Sequence, residues 1–371
     1  MIPRITLLLF SVTLLASTAR AQLLQTFVSA SGDNANSCER ATPCRTFSGA
    51  LQKTDPGGEI VVLDAGEYGP VVITKSVRIT AVGVYAGIIA TGGTNAVAVN
   101  AASTDVIVLK GLTITGKGAA NGVSFVAGGM LHIEGCAVSG FTARGVSFTS
   151  AGKLFVKDSF VRNNNNNGIY VAPGSGNAIA SIDHTRMERN GYGVRADGGS
   201  GRSSQVSVRD SVAADNTTSG FYATGNTAQI NVLDSEAVYN GGSGFYATNG
   251  GKINAQHCLS ANNATNGFVA SDQGAVSVKD CTATNNTAHG VASVRSGKIS
   301  VESSGLINNT GNGMYVSGGA TALIGTSTVT GNNVGLKNDS GSPGTLKSFG
   351  NNQVANNTTD TAGTITPAPL S

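Results

Sequence analysis

The sequence predicts an all-β chain wound into one solenoid, a parallel β-helix of about ten or more coils with three short strands per coil. Three observations lead to this fold class. A glycine followed by an apolar residue recurs about every 23 residues, apolar and polar residues alternate inside each unit, and an asparagine recurs at one place in the unit. A single unit cannot bury its apolar face, so neighbouring units must stack.

Composition agrees with short strands joined by tight turns. The chain has 51 glycines, no tryptophan and only 12% charged residues, and it lacks the Leu, Glu and Lys enrichment typical of helices. Residues 1–21 hold two of the 24 basic residues and none of the 21 acidic ones, so the rest of the chain has 22 basic and 21 acidic residues. This near-neutral balance without basic clusters argues against nucleic acid and anionic membrane as partners.

Residues 1–21 have the pattern of a secretory signal peptide. Arg4 precedes an apolar run from Ile5 to Leu15, and Ala19-Arg20-Ala21 forms a small-x-small cleavage signature. The run is too short to span a membrane. The sequence therefore predicts a secreted or periplasmic protein without membrane insertion.

The repeated unit fixes the strands. Its glycine recurs at intervals of 22 to 27 residues, at Gly122, Gly145, Gly168, Gly193, Gly220, Gly244, Gly267, Gly290, Gly313 and Gly335. Period-2 alternation after each glycine predicts a first strand, as in Val146 and Phe148. Two further inward columns are represented by Leu154 with Val156 and by Val161. The three columns describe a coil, because a hairpin would show only two strands.

An asparagine column fixes the register, at Asn164, Asn190, Asn216, Asn240, Asn263, Asn286, Asn309 and Asn332. Each asparagine stands five residues after a small residue such as Ser159 or Cys258. Stacked asparagines can hydrogen-bond to one another along the axis, and they tolerate a left-handed turn conformation. We interpret the whole column as structural.

On these residues the chain resembles the right-handed parallel β-helix repeat proteins of the pectin-lyase-like superfamily. The repeats run from about Asn95 to Asn357, and the segments beginning at Thr26, Pro43 and Gly57 resemble the cap and first coil of such proteins. The resemblance implies a cap with a short helix over 22–58, a β-helix over 59–340, and a last partial coil with a flexible tail over 341–371. It leaves activity open, since the superfamily includes lyases, hydrolases, epimerases and non-catalytic members.

Five cysteines and four histidines are candidates for special chemistry. Cys38 and Cys44, in a polar loop, predict a local disulfide that pins the cap. Cys258 and Cys281 occupy one column on adjacent coils, so a bridge stays possible beside the alternative of small buried residues. The pair His289-Gly290 resembles the histidine motif of polygalacturonases, but the acidic motifs of those enzymes are missing.

The outward column two residues after each glycine carries the strongest functional signal. It includes Tyr170, Arg195, Tyr222, Tyr246 and Tyr315, although the whole chain has only eight tyrosines. Such a strip could bind a linear glycan, with rings packed on sugar faces and Arg195 bonded to hydroxyls or carboxylates. Alternatively, the tyrosines stack on one another with Arg195 in cation–π contact between them.

Catalysis would need a local cluster. A lyase of this fold would require several carboxylates around Ca²⁺ with a basic residue nearby, and a hydrolase would require two or three carboxylates close together. The weak candidates are Arg195, Asp197 and Asp215. No metal site and no cofactor are expected, Ca²⁺ entering only under the lyase alternative. A second outward column, from Glu134 to Glu302, alternates in charge over its first members and is interpreted as structural.

These observations predict an exported, non-catalytic β-helix that binds polysaccharide or cell-envelope glycan, or has a structural role in the envelope or outside the cell. The alternative is a polysaccharide lyase or glycoside hydrolase with a non-standard site on the tyrosine-bearing sheet. Neither the ligand nor the oligomeric state follows from the sequence.

Overall fold

The computed structural model describes residues 23–369. These residues form a right-handed parallel β-helix of about 12 turns, which confirms the predicted fold class. The predicted signal peptide, residues 1–21, lies outside the described residues. Within 23–369 no helix has both the length and the apolar character needed to cross a membrane.

Each coil passes through three parallel sheets in turn. Sheet 1 holds Gln25–Val28, Gly58–Val62, Val77–Thr80, Val106–Lys110, Met130–Glu134, Gly152–Lys157, Gly176–Asp183, Arg202–Arg209, Ala228–Leu233, Lys252–Gln256, Ala275–Lys279, Lys298–Glu302, Thr321–Gly325, Thr345–Ser348 and Ile365–Pro367. Sheet 2 holds Gly66–Glu67, Ala86–Thr91, Leu112–Lys117, Ala137–Ser139, Phe160–Arg162, Arg186–Glu188, Val212–Ala214, Glu236–Val238, Leu259–Ala261, Thr282–Thr284, Gly305–Ile307, Thr328–Thr330 and Gln353–Val354. Sheet 3 holds Val71–Ile73, Asn95–Asn100, Asn121–Ala127, Arg144–Phe148, Asn167–Val171, Tyr192–Asp197, Phe221–Thr224, Phe245–Thr248, Phe268–Ala270, Val291–Ser293, Asn312–Val316, Val334–Asn338 and Thr359–Ala362.

The core is a column of side chains from all three sheets. Alternate residues of each strand point inward, because successive side chains of a strand face opposite sides. Phe221, Phe245 and Phe268 stack in consecutive coils of sheet 3, with ring centroids 5.0 and 4.6 Å apart. All three are fully buried. The interior is therefore filled, and any ligand must bind on the outside.

A two-residue turn joins sheet 1 to sheet 2. Its first residue has a left-handed backbone in successive coils, with φ between 45° and 51°, at Asp158, His184, Asp210, Asp234, His257, Asp280 and Ser303. Aspartate is among the residues that tolerate this conformation. The second residue is small and buried, and its backbone N–H bonds to the side chain of the next coil, as from Ser211 to Ser235 Oγ at 3.1 Å.

The asparagine column forms a continuous ladder in the turn from sheet 2 to sheet 3. Asn240 Nδ2 donates to Asn263 Oδ1 at 2.9 Å, and the Asn240 backbone N–H donates to the same oxygen at 3.1 Å. Oδ1 of each asparagine thus accepts from the preceding coil and Nδ2 donates to the following one. The ladder continues to Asn357, whose Nδ2 donates to Asp360 Oδ1 at 3.1 Å. One expectation was wrong: the left-handed residue is the one before the ladder asparagine, such as Asn262 with φ 56°.

The N-terminal cap is pinned by the predicted helix and by a disulfide. The helix Phe47–Lys53 begins after Thr46, whose side chain accepts a hydrogen bond from Gly49 N, as N-cap residues do. Cys38 and Cys44 are disulfide-bonded, with Cα atoms 4.7 Å apart. The remaining cysteines are free and buried, at Cys136, Cys258 and Cys281.

The C-terminal segment adds more ordered structure than a partial coil. Four strands between Thr345 and Pro367 pair with the preceding coil in all three sheets. The stack of coils therefore runs well past residue 340.

Candidate functional site

The tyrosine-bearing column lies on the outer surface of sheet 3. Strand pairing places Tyr170 beside Arg195, Arg195 beside Tyr222, and Tyr222 beside Tyr246. All four side chains are partly exposed. Tyr315 belongs to the same column, but Val269 and Ala292 separate it from Tyr246, so it stands apart from the other tyrosines.

Arg195 and Asp197 form the polar centre of this column. Arg195 Nε and Nη2 donate to the two Asp197 carboxylate oxygens at 2.8 and 2.9 Å, a bidentate pair. Tyr170 Oη donates to Asp197 Oδ2 at 2.9 Å. Burial alone would lower the pKa of Arg195, but its bonds to Asp197 outweigh burial and raise it. The guanidinium therefore stays charged, and Asp197 has three side-chain hydrogen bonds.

The tyrosine rings surround the same guanidinium. The Arg195 Cζ atom lies 5.7, 5.5 and 5.4 Å from the ring centroids of Tyr170, Tyr192 and Tyr222, within cation–π range. Tyr222 contacts Tyr192 at 4.9 Å and Tyr246 edge-on at 5.5 Å, between centroids. The cation–π arrangement considered as an alternative is thus present. The outer surfaces of the half-buried rings remain open to solvent.

Two further residues belong to this surface and escaped the sequence analysis. Tyr192 and Arg144 each stand one residue before the repeated glycine, a column not considered there. The Arg144 guanidinium lies 4.1 Å from the Tyr170 ring centroid. We call the surface made by Tyr170, Tyr192, Tyr222 and Tyr246 with Arg144, Arg195 and Asp197 the tyrosine face. Asking which aromatic and basic residues precede the glycine would have found both.

The tyrosine face includes two of the three weak catalytic candidates. Arg195 and Asp197 are in contact, whereas Asp215 lies at the end of a sheet 2 strand. Asp215 has a left-handed backbone, with φ 53°, in the turn column that also holds Asn163 and Asn262. Its neighbours in that column show that a turn explains its position without a role in catalysis.

Burial raises the pKa of the two tyrosines beside Arg195. For Tyr170 the carboxylate of Asp197 adds to the effect of burial, and for Tyr222 the neighbouring Tyr192 does. Both hydroxyls therefore stay protonated at neutral pH. In this arrangement they can donate hydrogen bonds and offer ring surface, but they are poor bases.

The one group of three potential metal ligands found within residues 23–369 lies elsewhere. It consists of Asp183, His184 and Asp210, whose ligand atoms lie within 4.8 Å of one another near the turn from sheet 1 to sheet 2. Arg209 Nε lies 3.4 Å from both Asp183 Oδ1 and Asp210 Oδ2. This guanidinium competes with a cation, and the three side chains are well accounted for as an exposed ion-pair network.

Comparison with known proteins identifies the fold. The family model described as the right-handed β-helix region matches residues 95–260 and 231–359. No match was found among curated proteins. The periplasmic alginate epimerase AlgG is a similar solved structure, with 9% identity over 88% of this chain and 83% of that chain and a TM-score of 0.54.

A second similar structure is the A-module of mannuronan C-5 epimerase AlgE6 from Azotobacter vinelandii. It shows 15% identity over 87% of this chain and 94% of that chain, with a TM-score of 0.52. At such identities the likeness is one of fold. Because the family model covers more than half of the sequence, the chain belongs to the right-handed β-helix family.

Proposed function

We propose that this chain is an exported, non-catalytic β-helix protein that binds polysaccharide through the tyrosine face. The observation that carries the proposal is a group of four partly exposed tyrosines on a single sheet surface, three of them around the Arg195 guanidinium and the fourth, Tyr246, in contact with Tyr222. Tyrosine offers a flat apolar ring with a polar edge, which suits sugar rings that have apolar faces and peripheral hydroxyls. Two proteins of similar fold are named as alginate and mannuronan epimerases, which supports a polysaccharide ligand.

The geometry of Asp197 favours binding over catalysis. A nucleophile or general base needs an oxygen free to approach the substrate. Asp197 instead accepts two bonds from Arg195 and one from Tyr170, so its carboxylate serves to hold those two side chains in place. Arg195 is thus paired with Asp197, whereas the Arg144 guanidinium on the same face has no carboxylate oxygen within 4.0 Å among the described residues. Arg144 is therefore the positive charge that a ligand can pair with.

The test is a binding assay with the triple variant Tyr170→Ala/Tyr222→Ala/Tyr246→Ala on a glycan array and by calorimetry with each glycan retained. Binding should weaken by at least about tenfold, since each ring contributes on the order of 1 kcal/mol. Tyr239→Asn is the matched control, because Tyr239 is exposed on a turn where the next coil has Asn262. Unchanged binding in the triple variant would show that the tyrosine face is not the site.

The second candidate is a polysaccharide lyase or glycoside hydrolase centred on Arg195 and Asp197. The contact of Tyr170 with Asp197 is the observation in its favour, because it brings an acid, a phenol and a guanidinium together. Incubation with acidic polysaccharides, with and without Ca²⁺, followed by unsaturated-product absorbance and reducing-end assays, tests it. Product that disappears in Asp197→Asn would establish catalysis and overturn the non-catalytic proposal.

A further inference from the structure

The outer surface of sheet 1 changes character along the axis. In the C-terminal half its outward residues are mostly short and polar, such as Ser207, Asn231 and Ser277. In four coils of the N-terminal half, large apolar side chains lie outward instead, at Val106, Val108, Met130, Phe155 and Ile179. Val106 and Ile179 are 40% and 46% exposed. A contiguous apolar patch on an exposed surface is typical of an interaction site.

Strand pairing arranges the outward residues of these four coils in three columns, and we call the surface that they form the apolar face. The first column holds Val106, Met130, Lys153 and Ile179. The middle column holds Val108, His132, Phe155 and Ser181. The third column holds Lys110, Glu134, Lys157 and Asp183. Two largely apolar columns thus lie beside a column in which the charge alternates from coil to coil.

The centre of the apolar face is uncharged. The His132 and Phe155 rings stack with centroids 4.7 Å apart, and His132 Nε2 lies 2.9 Å from Met130 Sδ. Burial, helped by the positive charge of Arg78, lowers the pKa of His132, so the imidazole is neutral at neutral pH. The two rings and the thioether are still partly exposed. A partner on this face therefore meets aromatic and aliphatic surface.

The charged column is complementary to itself in reverse. Its signs run positive, negative, positive, negative from Lys110 to Asp183, so a second copy with its coils in the opposite order offers the opposite sign at each coil. Lys110 then faces Asp183 of the partner subunit, and Glu134 faces Lys157 of the partner subunit. Two-fold symmetry makes each contact twice. Lys110 and Glu134 pair at 2.9 Å within one chain, but their side chains remain 40% and 44% exposed and accessible to a partner.

The apolar columns match in the same arrangement. The two-fold axis lies parallel to the strands, between the coil of His132 and the coil of Phe155, so each column faces its own copy in reverse order. Val106 faces Ile179 of the partner subunit, and the stacked rings of one copy face the stacked rings of the other. These side chains are then removed from water, which favours association.

The other symmetric arrangement is disfavoured. A two-fold axis along the solenoid would keep the coils in register and reverse the strands, so the first column would face the third. Lys153 would face Lys157 of the partner subunit, and Ile179 would face Asp183 of the partner subunit. Like charges would repel, and carboxylates would lose water against apolar side chains. The charge pattern therefore selects the arrangement in which the two solenoids are antiparallel.

We propose that the apolar face binds a second copy of this chain, in a two-fold dimer whose solenoids run antiparallel. Facing sheets pack about 10 Å apart, with strand directions within about 30° of each other. With one further coil on each side, Val77–Thr80 and Arg202–Arg209, the contact is roughly 24 Å by 13 Å at the usual strand and residue spacings. That size is at the small end for specific interfaces, so the dimer should dissociate on dilution. The tyrosine face, on sheet 3, stays outside the contact.

Sedimentation equilibrium of the full chain tests the proposal, with a concentration-dependent monomer–dimer equilibrium as the expected result. Glu134→Lys should raise the dissociation constant at least about tenfold, because the two facing pairs of opposite charge become pairs of lysines. Added salt should reduce the difference between this variant and the original chain. A chain that stays monomeric at millimolar concentration would leave the face to another occupant and overturn the proposal.

A charge swap separates contacts between copies from contacts within one chain. Glu134→Lys/Lys157→Glu restores opposite charges across the interface and should bring the dissociation constant to within about threefold of the original value. Within one chain the swap leaves two pairs of like-charged neighbours in the third column, as Glu134→Lys alone does. Recovery of dimerisation can therefore come only from contacts between copies, and failure to recover would overturn the arrangement.

The apolar contribution is tested by Ile179→Lys, which places a charge where an isoleucine would be buried in the dimer. The dissociation constant should rise at least about tenfold, because symmetry removes this contact twice. Phe160→Lys is the matched control, since Phe160 is 49% exposed and lies on sheet 2, outside the apolar face. Equal weakening by the two variants would contradict the proposed contact.

Chemical cross-linking tests the geometry directly with Val106→Cys/Ile179→Cys. The two positions lie three coils apart in one chain, and a bismaleimide with a reach below that separation, roughly 14 Å, links them only across the interface. Treatment should give a covalent dimer on a denaturing gel, whereas neither single variant should be linked. The natural free cysteines are buried and do not compete. A double variant that stays uncrosslinked while the chain is dimeric would show that another surface forms the dimer.

Discussion

The Arg195 guanidinium and the Asp197 carboxylate form a bidentate pair two residues apart on one strand, with hydrogen bonds of 2.8 and 2.9 Å. The side chains of both are largely buried, 28% and 13% exposed. Each therefore depends on the other for its polar contacts, and Tyr170 depends on Asp197 as well.

Asp197→Ala should destabilise the fold by about 1–3 kcal/mol, because it leaves the partly buried Arg195 charge without a partner. Asp339→Ala is the comparison. Among the side chains of the described residues, only Tyr315 donates a hydrogen bond to Asp339, from Oη at 2.9 Å. Denaturant unfolding at neutral pH measures both. Equal losses in the two variants would mean that the Arg195 pair contributes little.

Because of His289, the free energy of unfolding should decrease as the pH is lowered. It stacks on Tyr315 with centroids 4.7 Å apart, and its Nδ1 accepts the backbone N–H of Asn312 at 3.1 Å, so the folded chain holds neutral imidazole. Burial, helped by the charge of Lys337, lowers the pKa of His289 to about 4. The unfolded chain, with a histidine pKa of about 6.5, binds this proton first as pH falls. The contribution of neutral His289 to the free energy of unfolding is complete above pH 6.5, and about 3 kcal/mol of it is lost as the pH falls to 4.

His289→Asn tests this pH dependence, because asparagine occupies the same column in the adjacent coils at Asn266 and Asn312. The unfolding free energy of this variant should change less between pH 7 and pH 4.5 than that of the original chain. Parallel pH profiles for the two proteins would contradict the assignment.

The asparagine ladder should be most sensitive in its middle. Asn240→Ala removes the acceptor of the Asn216 backbone N–H, at 3.1 Å, and also the donor to Ala213 O. Leaving these buried groups without partners should cost about 2–4 kcal/mol. Asn164→Ala, at the first ladder position, should cost less, since fewer ladder bonds precede it. Thermal unfolding of both variants measures the difference, and equal destabilisation would argue against a cooperative ladder.

The free cysteines should be unreactive until the chain unfolds. Burial raises the pKa of Cys136 to about 11, and Cys258 and Cys281 are also buried. A thiol reagent should therefore detect no thiol in the folded protein, three per chain after denaturation, and five after reduction. One thiol after denaturation would reveal a bridge between Cys258 and Cys281.

Cys281→Ser should change stability by less than about 1 kcal/mol, because serine fills this column in the next coil. Ser304 Oγ donates to Glu302 O at 2.7 Å and accepts from Cys281 N. One coil earlier the Cys281 sulfur makes the equivalent bonds, donating to Lys279 O and accepting from Cys258 N. Denaturant unfolding checks it, with Cys281→Leu as the contrasting change that overfills the turn.

The regular part of the fold could be predicted from the sequence, because each buried position recurs once per coil. The glycine, the inward pairs and the asparagine column all imply one register, and the observed strand pairing follows it. Because each coil repeats its neighbours, a short sequence pattern determines the structure of the whole stack of coils.

The surface could be predicted less well. Arg195 and Asp197 share a strand, so their contact followed from sequence spacing. Arg144 reaches across to the next coil, and such reach depends on side-chain direction rather than on periodicity.

The hydrogen bonds between ladder asparagines all run in one direction along the axis, and this gives the molecule an electrical polarity, although Nδ2 also donates to a backbone carbonyl of the preceding coil, as from Asn240 to Ala213. Every amide points its Oδ1 toward the N-terminal coil and its Nδ2 toward the C-terminal coil, so the side-chain dipoles add head to tail and polarise one another. The result resembles a helix macrodipole reversed in sense, with its positive end at Asn357. Asp360 accepts both the backbone N–H and Nδ2 of Asn357, as a capping carboxylate does at the first turn of a helix. The Asp360 carboxylate, which the sequence alone does not single out, thus terminates an axial dipole formed by the asparagine side chains of nine coils.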